Sequence, residues 1–278
     1  MWNSLLRDFR TFKNIINNYD GGGVVDLTNY NFLGPTTLLP LFIFMMKNDI
    51  NKYIPHIDTK NHCDRVLGKS PNKYTTIPFE ELPRHISDED IGNFPDKIRN
   101  LLNQGYVDPE PYELLVYEML SNIYDHSQFK RAFVLCQQYP NSKNKTTDIC
   151  LIDDGISIPG NFEKEDFEFE NDSEAILSAI NGLSTNKFDG KFRGTGLNTA
   201  TQISTLAYGE EILIASRKGV CHVKGNGAQL YKMGSNYVDG TFVSIRINGY
   251  NIEELNEYYS KRKIIKKRRE KIYKLWDI

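Results

Sequence analysis

The sequence predicts an α/β (α+β) chain, a two-layer α/β sandwich with a mixed, mainly antiparallel sheet, preceded by a small N-terminal α/β unit. Three observations carry this. Periodic segments run helix, helix, strand, strand, long connection, helix and then a series of strands, which suits an α+β sandwich and not a repeating βαβ chain. The 278 residues are 40% hydrophobic and 25% charged, enough to bury a sizeable core. Prolines gather at Pro71, Pro78, Pro83 and Pro95 among polar residues, which marks a boundary between a first unit, residues 1–80, and a main domain, residues 95–250.

The elements follow in order. Gly21, Gly22 and Gly23 break the chain before Val24–Leu27, a short β-branched strand. Asn29 to Pro35 is turn-rich, and Thr36 to Lys47 is apolar on nearly every face, so it predicts a buried helix. Helices are expected over 94–104 and, after Asp108-Pro109-Glu110-Pro111, over 112–128; strands are expected over 132–138 and 147–153. Residues 160–193 read as an acidic connection with one helix, 173–181, capped by Ser173. A connection of this length inside a domain predicts a lid that orders over a ligand. A helix over 195–206 and strands over 211–216, 220–224, 228–232 and 241–247 complete the domain. Residues 251–278 predict a basic helix with Ile265, Ile272 and Trp276 on one face.

Composition narrows the function. Cys63, Cys136, Cys150 and Cys221 form no Cys-x-x-Cys pair, so they predict reduced thiols and neither zinc ligands nor a disulfide framework. The first 20 residues hold no apolar secretory core, and the longest apolar run, Leu38 to Met46, is about half a membrane span and contains Pro40. A cytoplasmic protein without a membrane span is expected. Residues 261–278 hold nine Lys or Arg against two acids, a charge of +7; the other 260 residues therefore carry −9 of the overall −2. An acidic body is unlike a dedicated DNA binder, so nucleic acid could be met only through the basic tail, for which docking on its own domain is the favoured reading.

Three separated stretches carry chemistry. In the first, Glu118, Asn122 and His126 are spaced four apart and share a helical face, which brings a carboxylate that can poise water and an amide oxygen that can ligate a hard cation to one cleft; Asp125 lies beside them. In the second, the apolar run Ile149–Ile152 ends in Asp153, Asp154 and Gly155, with Ser157 following. This places a carboxylate at a strand end, where it can accept from an exocyclic amine. In the third, Gly190, Gly194 and Gly196 lead into a helix at Leu197 and Asn198, so that backbone N–H groups converge on an anion with Lys191 and Arg193 nearby. Singly, each also reads blandly, as a solvated stripe, an Asp-Gly turn and a glycine-rich loop.

In this order and on these elements, the stretches resemble the N box, Asp-x-Gly box and Gly-x-Gly-Leu box of the GHKL superfamily, the histidine-kinase-like ATP-binding domain of Bergerat fold. Gly240-Thr241-Phe242 resembles its later Gly-Thr, and Asp172 to Lys187 is similar to the lid of stand-alone members. The resemblance implies ATP and Mg2+ as cofactors, with Glu118 as the activating acid and Asn122 as the magnesium ligand. It further implies nucleotide contacts from Asp125, Asp153, Gly155, Ser157, Lys187, Lys191, Gly194, Thr195, Gly196, Leu197 and Thr241. Ser157 and Asn198 depart from the pattern, each standing where a glycine is usual. The implied function is an ATP-binding regulator of a protein partner, with slow ATPase or Ser/Thr protein kinase turnover; the alternative is a non-catalytic, nucleotide-gated interaction module. The N-terminal unit is similar to a STAS domain with Gly34-Pro35 in place of the usual Asp-Ser. A phosphoacceptor there could only be Thr36 or Thr37, against the reading of a plain packing unit.

Overall fold

The computed structural model describes residues 4–69, 75–84, 97, 100, 101, 110–142, 146–182, 197, 198, 201, 211–225, 227–234 and 238–247. The basic tail and most of the helices expected over 94–104 and 195–206 lie outside the described residues.

The chain opens with α1, Leu5–Asn17, where the Ser4 hydroxyl accepts from the Arg7 N–H at 3.3 Å and starts the helix. Leu5, Phe9, Phe12, Ile15 and Ile16 recur at helical spacing and are buried. Next come β1 (Val24–Leu27), α2 (Pro35–Lys47), β2 (Lys52–Pro55) and α3 (Lys60–Val66). The apolar composition of α2 finds its reason in burial from Pro35 through Ile43. The larger part comprises β3 (Thr76–Glu81), α4 (Glu110–Asn122), a π-helical turn (Ile123–Ser127), β4 (Ala132–Tyr139), β5 (Thr146–Asp153), α5 (Ile158–Lys164), α6 (Asp172–Ile180), β6 (Glu211–Arg217), β7 (Gly219–Lys224), β8 (Gly227–Lys232) and β9 (Val238–Ile247).

Strands β3 to β9 form one seven-stranded sheet in the order β3-β4-β5-β9-β6-β7-β8, with every neighbour antiparallel. The parallel component of the expected mixed sheet is confined to the separate pair β1-β2. One face is covered by α4 and α6 through Leu115, Val116, Met119, Ile176 and Ile180. The other face is covered by α1 and α2, so the N-terminal helices add a third layer to the α/β sandwich. Strands β4 and β5 are therefore buried at every position, which explains the apolar runs Ala132–Cys136 and Ile149–Ile152 within them.

Two expectations are corrected. The stretch read as loop from residue 160 onward holds α5, and the helix after it is capped by Asn171, whose side chain accepts from the N–H groups of Ser173 and Glu174; Ser173 is inside the helix. Up to residue 182 the connection is thus two packed helices; its remainder, residues 183–193, lies outside the described residues. The helix expected to end at residue 128 is α-helical to Asn122 and continues as the π turn, after which Gln128 takes a left-handed conformation, φ 50°.

Candidate functional site

The carboxyl ends of β5 and α4 meet at a tight crossing. The Ile156 N–H donates to the Ser127 carbonyl, and a Cβ on Gly155 would stand 2.0 Å from that oxygen. Only glycine fits there. Gly155 is thus required by crowding from its own chain. Extra winding in the π turn carries the Ser127 carbonyl to this crossing, and such turns gather at functional sites. On the opposite side Gly240 abuts Asp153, with a built Cβ 2.4 Å from the Asp153 carbonyl and 2.5 Å from its Oδ1.

The adjacent acids at the end of β5 have different tasks. Asp154 Oδ1 accepts from the N–H groups of Lys130 and Arg131, each at 2.8 Å, so it pins the turn into β4. Asp153 is 5% exposed and accepts from the Gly155 N–H at 2.8 Å. Burial pushes its carboxyl up to about 7, with Asp154 adding to the shift and the backbone N–H groups of Gly155 and Thr241 opposing it. Asp153 therefore changes charge near neutral pH.

Asp153 lies on the wall of a cavity of about 120 Å³, far larger than the roughly 10–15 Å³ that one water needs. Met119, Ile123, Leu151, Ile158, Phe162, Leu197 and Val243 supply apolar walls; Asn122, His126, Ser127, Asp153, Asn161 and Thr241 supply polar groups. Ser216 ties the far side together, donating to the Gly240 carbonyl at 2.8 Å and accepting from the Ile158 N–H at 3.1 Å. Within this wall the Asn122 Nδ2 is buried without a hydrogen-bond partner. A buried orphan donor costs about 1–3 kcal/mol, which an acceptor on a ligand would remove.

The structure thus brings four of the sequence-predicted residues, Asn122, Asp153, Leu197 and Thr241, to one cavity. Others serve nearby or elsewhere. Glu118 is half-buried one turn before Asn122 and does not line the cavity. Asp125 is exposed and accepts from the Ser121 hydroxyl at 2.9 Å, so it is placed outside the cavity wall. Ser157 has φ −67°, a conformation open to any residue, and its hydroxyl caps α5 by accepting from the Gly160 N–H at 3.0 Å. Asn198 donates to the Ile180 carbonyl at 2.7 Å and so holds the end of α6. Lys187, Lys191, Gly194, Thr195 and Gly196 lie outside the described residues. The sequence puts His126 on the face of Asn122 without giving it a role, and sequence reasoning missed Ser127 and Asn161; the Ser-x-x-Gly spacing of a helix cap at Ser157 was the available signal for the α5 wall.

Neither candidate phosphoacceptor of the N-terminal unit is reachable. Thr36 is fully buried with its hydroxyl 2.8 Å from Ser244 Oγ, and Thr37 is buried and donates to the Asp8 carbonyl at 2.7 Å.

Among the described residues, no cluster of three or more His, Cys, Asp or Glu could hold a metal ion, and no helix is long and apolar enough to cross a membrane. No family model and no curated protein matches the sequence. Among solved structures the chain is similar to the histidine kinase domain from the Erythrobacter litoralis EL346 blue-light activated histidine kinase, at 12% identity over 88% of this chain and 94% of that one, with a TM-score of 0.27. The superposition is loose.

Proposed function

We propose that the cavity at the end of β5 binds the adenine end of ATP, and that the chain is an ATP-binding regulatory protein of the histidine-kinase-like type. The observation that supports this most is the pairing, in one cavity, of the buried Asp153 carboxyl with the unpartnered Asn122 Nδ2. An ionised Asp153, with about four lone-pair sites, keeps one after the Gly155 and Thr241 N–H groups and the Ser127 hydroxyl, and an exocyclic amine fills it. The Asn122 donor requires an acceptor on the same ligand. The ordered glycine-bearing stretches of the sequence point the same way.

The residues present fit a magnesium nucleotide better than a resident metal. Magnesium keeps several waters and is commonly held by one or two protein oxygens together with substrate phosphates, so the Asn122 Oδ1 is a sufficient protein ligand. When bound, the ion would neutralise phosphate charge. In this reading Asp153 orients the base, the apolar wall excludes water, and Glu118, one helical turn before Asn122, accepts a proton from water or from a partner's hydroxyl. The partner is a regulatory protein.

Calorimetry with MgATP tests the reading. Micromolar to millimolar binding to the wild-type chain is expected, and Asp153→Asn should weaken it more than tenfold, the loss of a charge-assisted bond of about 1.5–3 kcal/mol. Absence of heat and of competition with a fluorescent ATP analogue would overturn it. A second reading, a nucleotide-gated module without turnover, is favoured by the position of Glu118 outside the cavity wall. Glu118→Ala separates the two: under turnover it leaves ATP affinity nearly unchanged and lowers ADP release by about 10²–10⁴-fold, whereas a non-catalytic module shows no ADP release in either form.

A further inference from the structure

The pair β1-β2 stands apart from the main sheet, and among the described residues no backbone hydrogen bond reaches the outer edge of β2. An open strand edge presents unpaired N–H and C=O groups that can accept another strand. A groove of about 470 Å³ runs along the whole of β2 and is bounded by Lys60 and Asp64 of α3.

Three lysines, Lys52, Lys60 and Lys69, line this groove. All are exposed, and none of them is in an ion pair among the described residues. Lys69 sits over the Tyr53 ring, 5.4 Å from its centre, while the Tyr53 hydroxyl donates to Asp64 at 3.3 Å, so the single acid of the groove is already engaged. The groove is therefore cationic on a chain whose body is acidic. Beside it, Ile54 is 52% exposed and Ile57 84% exposed, the two most exposed large apolar side chains among the described residues. Lysine and proline on an edge strand discourage indiscriminate pairing, but two exposed isoleucines do not serve that end.

We propose that the β2 edge is a docking site for an extended acidic segment of a partner protein, which adds as a third strand to β1-β2. Its backbone pairs with β2; on the Tyr53 face its acidic side chains meet Lys60 and Lys69, and on the opposite face, shared by Lys52 and Ile54, its apolar side chains cover Ile54. Main-chain pairing supplies affinity in such additions, and the alternate side chains supply selectivity. The site is remote from the cavity at Asp153 and does not rest on the nucleotide reading.

Fluorescence anisotropy with a labelled octapeptide of alternating glutamate and valine tests this on the full chain. In a strand, successive N–H groups point to opposite edges, so the glutamate amides lie along one edge and the valine amides along the other. Two N-methylated peptides, one blocked at each set, should therefore differ: one loses at least tenfold in affinity and the other binds like the parent. The charge-reversed variant Lys60→Glu/Lys69→Glu, altered only at exposed positions, should fold as judged by circular dichroism and lose at least tenfold. The proposal is overturned if the parent peptide does not bind at low salt, if both methylated peptides bind equally, or if the charge-reversed chain binds unchanged. It is also overturned if single-stranded oligothymidylate of equal charge binds as tightly as the peptide, or if sedimentation shows that a second copy of the chain occupies the edge.

Discussion

At the residue scale, Asp153 and Asp154 show how neighbouring carboxyls of one sequence diverge. Asp154 satisfies two backbone donors at the surface, whereas Asp153 is raised from an ordinary 3.8 to about 7 by burial. Its folded-state value lies above the unfolded one, so folding binds a proton between these limits and the stability contributed by Asp153 is lost as pH rises through 7. Urea unfolding at pH 5 and pH 8 should show the wild type losing stability relative to Asp153→Asn over that interval. Ligand binding has the opposite sign, because an amine donor favours the ionised acid. ATP affinity should rise about tenfold from pH 6 to pH 8, the change in ionised fraction around 7, and Asp153→Asn should remove most of that dependence. The facing groups to control are Asp154 beside it and His126 across the cavity. Asp153 was legible from sequence because an apolar run ending in acids places them at a strand end. The separate duties of the two acids were not, since they are set by contacts with β4 and β9 from distant parts of the chain.

At the element scale, the turn after α4 and the entry to α5 form the site together. Gly155→Ala would drive a Cβ into the Ser127 carbonyl, backbone against backbone, with no flexible side chain to yield. A loss of about 3 kcal/mol or more is expected, at the upper end of overpacking costs, and it should be read by denaturant unfolding together with the loss of ATP binding. Ser157→Ala should be milder, about 1 kcal/mol for a lost cap, and should reduce ATP affinity only through α5. Helix α5 was missed because the chain from residue 160 onward reads as an acidic connection; yet proline is at home in a first helical turn, and Ser157 was its visible cap. The π turn could not be read in advance, because the glycine that accommodates it lies 28 residues downstream of Ser127. By contrast, β4, β5 and α2 were plain, since burial on all sides leaves an apolar run with no polar face to confuse it.

At the scale of the whole molecule, one buried polar cluster ties the first helix to the last strand. Arg246 holds Asp148 through two bonds, 2.6 and 2.7 Å, reaches Asp8 of α1 at 3.2 Å, and lies 3.7 Å from Glu211, whose other oxygen is 2.6 Å from His222 Nε2. Burial works against the charge on Arg246, but Asp148 and Asp8 outweigh it and hold the guanidinium protonated. Arg246→Leu would leave the fully buried Asp148 without its partner, a loss of about 3–5 kcal/mol, whereas the double variant Arg246→Leu/Asp148→Leu should recover most of it. Thermal and urea unfolding of the single and double variants distinguish these outcomes.

Strand β9 lies at the centre of the sheet, between β5 and β6, although it is the last in sequence of the described strands. This has a consequence for biogenesis. During synthesis, β3-β4-β5 and β6-β7-β8 emerge as two half-sheets, each with a long, apolar inner edge and no partner, and neither can close until residues 238–247 leave the ribosome. The nascent chain passes through an interval in which its two stickiest surfaces face each other unbridged, so it should depend on chaperone shielding more than a sheet assembled in sequence order would. Nascent chains stalled before Val238 should remain protease-sensitive and chaperone-bound, and chains released after Ile247 should become resistant in a single step.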